Sequence, residues 1–206
     1  MGTGNAVGRR KYTFFFEKYC RGKGIDIGCH KAKVLPDADG FDKRPNLPGV
    51  IRGDATYMEG IADEAYDWVY SSHCLEHIVD VETALKNWWR ILKYSGYLII
   101  SVPHRDYYER KEGLPSVHNK SHKHFFLPFE SDLPEVLSLY DLIRANLDNA
   151  FIIYLNECSN ANVAHRSSQE IDRSALPVAP EWSIEAVIQK GEYTPVFQMN
   201  YGSKRT

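Results

Sequence analysis

The sequence predicts an α/β fold with an open, mostly parallel sheet, and three observations carry that expectation. Short runs of β-forming residues recur through the first half of the 206-residue chain. Two of them, 66–73 and 97–102, flank a segment whose apolar residues recur at helical spacing. Three of them end at Gly28, Asp42 and Asp54. A glycine and two carboxylates at strand ends suit a ligand crevice, because an open parallel sheet binds its ligands at the carboxyl edge.

Taken in order, residues 1–10 are glycine-rich and read as loose, and 12–19 as a short aromatic helix or strand that caps the domain. The stretch 24–28 is an apolar strand with a carboxylate, Asp26, inside it and a glycine at its end. Pro36 limits any helix after it to about one turn. The second strand ends at Asp42, so the first crossover is near the minimum of about a dozen residues that a parallel connection needs. Pro45 and Pro48 keep the next connection non-helical, and 50–55 supplies a brief third strand. The fourth strand, 66–73, closes with small polar residues. A helix over 81–93 follows, with Val81, Leu85, Trp88, Trp89 and Leu92 on its apolar side. Both tryptophans read as packing residues rather than as a stacking platform. The helix stops at Tyr94, Ser95 and Gly96, and 97–102 is the fifth strand.

Composition narrows the classes. With 43% hydrophobic residues the chain has enough apolar material for one sizeable core. A formal charge of -2 implies no bulk attraction to nucleic acid or to an anionic membrane. Cys20, Cys29, Cys74 and Cys158 form no Cys-x-x-Cys pair and read as free thiols of a reducing compartment. No run approaches the length of a membrane span, and no secretory signal pattern opens the chain, so a cytoplasmic location is expected.

The motifs Asp26-Ile-Gly28-Cys, Phe41-Asp42, Gly53-Asp54-Ala55, Ser72-His73-Cys-Leu-Glu76-His77 and Ile91-Leu-Lys93-Tyr-Ser-Gly96 occur in one order. In this the chain resembles the class I S-adenosylmethionine-dependent methyltransferases, and most of all their small-molecule branch marked by His-x-Leu-Glu-His. The likeness is close over 24–103 and looser from His124 to a last strand near 182–190. It implies a Rossmann-like fold with abbreviated first crossovers and an antiparallel last strand. It also implies one domain over 1–206, comprising an N-terminal cap at 1–20, a cofactor half at 24–103 and a substrate-side half at 104–206.

The same resemblance implies S-adenosylmethionine as cofactor. Asp26, Gly28, Cys29 and His30 would form the turn under its methionine part, Asp42 would accept from the ribose hydroxyls, and Lys43 would lie against the adenine. Asp54 would accept from the adenine amino group beside the Ala55 backbone, while Ser72 and His73 would border the sulfonium. His30 stands where the family usually has a second glycine, and Tyr94-Ser95-Gly96 replaces its usual Pro-Gly-Gly turn. The implied activity is methyl transfer to oxygen or nitrogen of a small molecule or glycan. The alternative is a protein that binds the cofactor without catalysis.

Beyond Pro103, the residues 103–126 form a polar loop with His104, His118, His122 and His124, expected to lie over the crevice and to face substrate. His73 and His104 are the candidate catalytic bases, since imidazole takes a proton near neutral pH. The histidine spacing fits no standard ligand pattern and no carboxylate interleaves His118, His122 and His124, so no metal is expected. Glu76 and His77 read as locally structural. An amphipathic helix over 130–147, a strand over 151–155, a long polar loop over 156–181 and a last strand over 182–190 complete the expectation.

Overall fold

The structure is a computed structural model that describes residues 10, 14–110, 113–116, 118–129, 134–158 and 182–191. Its sheet is organised around β1 (Gly24–Ile27), buried at all four positions. A strand covered on both faces suits the centre of a parallel sheet. On one side β1 pairs in parallel with β2 (Asp39–Asp42), and β2 with β3 (Val50–Arg52). On the other side it pairs with β4 (Tyr66–Ser72), which in turn pairs in parallel with β5 (Leu92–Pro103). A further pair, β6 (Phe125–Leu127) and β7 (Val136–Ser138), forms a separate small parallel sheet. Finally β9 (Ser183–Lys190) inserts antiparallel between β5 and β8 (Ala150–Cys158). The main sheet therefore has the order β3-β2-β1-β4-β5-β9-β8, and only β9 runs against the rest. This is the expected mostly parallel sheet with an antiparallel last strand.

Among the described residues, no helix occupies the connections from β1 to β2, β2 to β3 or β3 to β4. The expected abbreviated crossovers are present, and other segments cover the sheet. One face is packed by α2 (Val81–Ile91), whose Leu85, Trp88 and Ile91 meet Ile25, Ile27, Val69 and Ile100. The other face is packed by the short α1 (Phe15–Tyr19), whose Phe15 and Tyr19 join Trp68, Tyr70, Ile99 and Val187. Trp88 and Trp89 are both buried, each indole donating to a carbonyl, of Ala55 and Asp148 respectively.

Several local expectations are corrected. Arg10 is not loose: it is buried, stacks over the Phe15 and Tyr70 rings, donates to the Tyr70 hydroxyl at 2.6 Å and pairs with Glu185. The helix expected to run to Lys93 ends at Ile91, because Leu92 is already paired with Tyr66 in the sheet. The helix expected over 130–147 is only α4 (Leu139–Asn146). Val136 and Ser138 are instead buried in β7 against β6, and the Ser138 hydroxyl caps α4 by accepting from the Asp141 N–H at 3.1 Å. A β-pairing partner brought in from elsewhere in the chain overrode the helical spacing. The expectations for residues 1–9, for 130–133, for most of the 156–181 loop and for the tail after Gly191 lie outside the described residues. No described helix is long and apolar enough to cross a membrane.

Candidate cofactor and active site

The order β3-β2-β1-β4 makes the boundary between β1 and β4 a switch point, where connections leave in opposite directions along the sheet. Gly28 lies there with φ 79°, donating its N–H to the Phe41 carbonyl at 2.8 Å. A Cβ at Gly28 would stand 2.8 Å from both Cβ and Sγ of Cys74. The turn therefore needs glycine twice over, for its positive φ and for the close approach of the segment after β4.

Asp26 and Asp42 hold this turn from inside. Asp26 is 2% exposed and its Oδ2 accepts from the Val34 N–H at 2.6 Å. Burial pushes its carboxyl up to about 7, against the opposing effect of that bond. Asp42 accepts from the His30 N–H at one oxygen and from the Arg44 N–H at the other, both at 2.9 Å. Each oxygen can still accept a second hydrogen bond, which is what a pair of ribose hydroxyls requires.

His30, at the place of a second glycine, takes the glycine-like φ of 51° and leaves its side chain exposed. Cys29 is buried, with its thiol pushed up to about 11 by burial. Lys43 is exposed beside Asp42. Asp54 is exposed just past β3 and accepts from the Thr56 N–H at 2.8 Å, while the Ala55 carbonyl is occupied by the Trp88 indole. Gly28, Asp42 and Asp54 thus lie at or just past the carboxyl ends of the neighbouring parallel strands β1, β2 and β3, with Asp26 inside β1 behind the turn.

The two candidate bases differ sharply. His73 follows the buried Ser72 at the end of β4, at φ 52°, with its side chain 24% exposed. Its ring lies 6.5 Å from that of Tyr108. His104 is buried at the head of α3 (Arg105–Tyr108) and stacked on Tyr107. Its Nδ1 accepts from the Asp106 N–H at 3.1 Å, so its proton is on Nε2, which faces Glu157 Oε1 at 3.1 Å. Both ring nitrogens of His104 are spent. Burial lowers its pKa, and the Glu157 carboxylate opposes that shift.

The sequence reading kept Glu76 and His77 apart from the later histidines, but the structure joins them. His73 Nδ1, His77 Nε2 and His122 Nε2 stand 3.6, 3.8 and 4.0 Å from Glu76 Oε1. Burial pushes the Glu76 carboxyl up to about 8 and, with the neighbouring His122, lowers the pKa of His77. Glu109, just past α3, reaches His122 Nδ1 at 2.6 Å. Spacing along the chain could not show this, since the partners come from 76–77, 109 and 122. The positive φ of His73 and the full burial of Glu76 are conformational facts that no local pattern signals.

Comparison with known proteins agrees with this geometry. Residues 2–100 match the family model described as a methyltransferase domain. Among solved structures, the chain is similar to a SAM-dependent methyltransferase from Archaeoglobus fulgidus, at 18% identity and TM-score 0.59, covering 91% of this chain and 94% of that one. A putative S-adenosylmethionine-dependent methyltransferase from Listeria monocytogenes gives 18% and 0.58, covering 93% and 100%. A SAM-dependent methyltransferase from Thermotoga maritima, described as a possible histamine N-methyltransferase, gives 21% and 0.55, covering 91% and 92%. No curated protein matches the chain. The domain match makes residues 2–100 a methyltransferase domain, and the chain as a whole shares the fold of S-adenosylmethionine-dependent methyltransferases. Its cofactor is S-adenosylmethionine.

Proposed function

We propose that the protein transfers the methyl group to an oxygen or nitrogen of a small molecule or glycan, as in the small-molecule branch its His-x-Leu-Glu-His motif resembles. The observation that carries this reading is the position of His73. It is a partly exposed imidazole at the end of β4, with Cys74, its neighbour in sequence, packed against Gly28 of the cofactor turn. Residues 24–103 act as the cofactor half and 104–206 as the substrate side, within one domain over 1–206.

In the cofactor half, Asp42 accepts from the ribose hydroxyls. Gly28, Cys29 and His30 line the turn beneath the amino-acid part, braced by Asp26. Lys43, Asp54 and the Ala55 backbone flank the adenine, and Ser72 borders the sulfonium. The bound cofactor supplies a methyl group already activated by its sulfonium, which leaves alignment and exclusion of water to the protein. His73 orients the acceptor and takes its proton. His104 holds the substrate-side segment through Asp106 and Glu157 and does not act as the base, because neither of its nitrogens is available.

Calorimetry with S-adenosylmethionine, followed by detection of S-adenosylhomocysteine with a panel of small hydroxyl, amine and sugar acceptors, tests the reading. Cofactor binding with turnover on one acceptor class supports it. Turnover confined to protein or nucleic-acid acceptors would overturn it.

A further inference from the structure

Glu76 is the least explained group in the molecule. It is 1% exposed, in the 3-10 turn Leu75–His77, and neither carboxylate oxygen has a hydrogen-bond partner among the described residues. A buried carboxylate with no donor costs several kcal/mol unless it takes a proton or a cation compensates it. Beside it stand the imidazoles of His77 and His122, each with its proton on the far nitrogen.

His122 Nδ1 lies 2.6 Å from Glu109 Oε1, so Nδ1 carries the proton that this acceptor takes. In that tautomer Nε2, the atom 4.0 Å from Glu76 Oε1, presents a lone pair. The same logic fixes His77. Ser121 Oγ donates its one proton to Asn119 Oδ1 at 2.7 Å and so accepts from His77 Nδ1 at 3.0 Å. The Nε2 lone pair of His77 is left facing Glu76 Oε1 at 3.8 Å. Two imidazole lone pairs thus converge on the Glu76 carboxyl, which gives up its proton when an ion binds, and their ligand atoms all lie within 4.8 Å of one another. Ligands about 2.1 Å from a tetrahedral ion are about 3.4 Å apart, so small side-chain adjustments close the set. Glu109 behind His122 is the outer carboxylate that metal-bound histidines usually have.

We propose that Glu76, His77 and His122 bind one divalent transition-metal ion of the zinc type, with Glu109 and Ser121 as the outer groups that orient the two imidazoles. Two nitrogens and one carboxylate suit zinc and its neighbours better than magnesium or calcium, which prefer all-oxygen shells. The set opens toward solvent on the side of His73 and His77, which are 24% and 25% exposed, whereas Glu76 and His122 are enclosed. An open coordination position there would lower the pKa of a hydroxyl bound to the ion. That last consequence rests on methyl transfer being the activity; the binding itself does not.

The test is titration of chelator-treated full-length protein with Zn²⁺ by calorimetry, with Co²⁺ absorption as a spectroscopic report on coordination. One equivalent is expected to bind. His77→Ala, at the partly exposed ligand, should abolish that binding and the cobalt spectrum while circular dichroism stays native. Glu109→Gln should weaken binding about 10-fold to 100-fold. His30→Ala, at an exposed histidine outside the set, should leave it unchanged. No stoichiometric binding by the folded wild type, or equal binding by His77→Ala, overturns the proposal. A parallel titration with S-adenosylmethionine separates this failure from a failure of the functional reading.

Discussion

Asp42 and His73 carry the strongest claims at the scale of single residues. Asp42 closes the carboxyl end of β2 and already clasps the amides of His30 and Arg44, so it is preorganised before any ligand arrives. Loss of the ribose hydrogen bonds proposed for it should make Asp42→Ala weaken cofactor binding by about 1–3 kcal/mol, read by calorimetry. Unchanged affinity would remove Asp42 from the site. For His73, the expected signature is kinetic. His73→Ala should lower kcat by about 10²-fold or more while the cofactor Kd stays near wild type, as for loss of a general base. His104→Asn should instead lower thermal stability with less effect on kcat, because its ring holds Asp106 and Glu157 together. The reverse pattern would exchange the two roles.

The turn after β1 shows, at the scale of elements, how local chemistry and packing coincide. Gly28→Ala places a side chain at φ 79° and against Cys74, so both the fold and the cofactor turn should suffer. A loss of about 1–3 kcal/mol in urea unfolding, with weakened cofactor binding, is expected from such strain. Combining it with Cys74→Ala relieves the contact but not the backbone, so only part of the loss should return. This turn was legible in the sequence because a strand, a glycine and a following carboxylate are local signals. The strand-end residues Asp42 and Asp54 were legible for the same reason. The segment 136–138 was not: its apolar spacing fits a helix, and only Phe125–Leu127, brought alongside through the loop after β5, makes it a strand. The Glu76 cluster was hidden likewise, since a carboxylate in one turn and a histidine in a distant loop become neighbours only when the sheet folds.

For the molecule as a whole, the lack of helices in the first crossovers shifts the burden of covering the sheet onto the N-terminal cap. Arg10 reaches across that face to Glu185 of β9 and Tyr70 of β4, and Tyr154 donates to the other Glu185 oxygen at 2.5 Å. Asp26 sits inside the buried β1, and its carboxyl is raised to about 7 because burial penalises its charge. A carboxyl raised in the folded state favours folding fully only below its unfolded value of about 4, and that contribution is lost as pH rises through about 7. Asp26→Asn keeps an oxygen for the Val34 N–H but cannot ionise. Relative to the variant, the wild type should therefore lose stability steadily between about pH 4 and 7, by about 4 kcal/mol in all, and the difference should level off above that range. Glu76, raised in the same direction, titrates in both proteins and cancels from the comparison. Urea unfolding of the two proteins across this range, without cofactor, measures the difference directly. Parallel profiles would mean that Asp26 is charged in the folded protein throughout, with its cost met by the Val34 amide and the cations of Lys33 and Arg10.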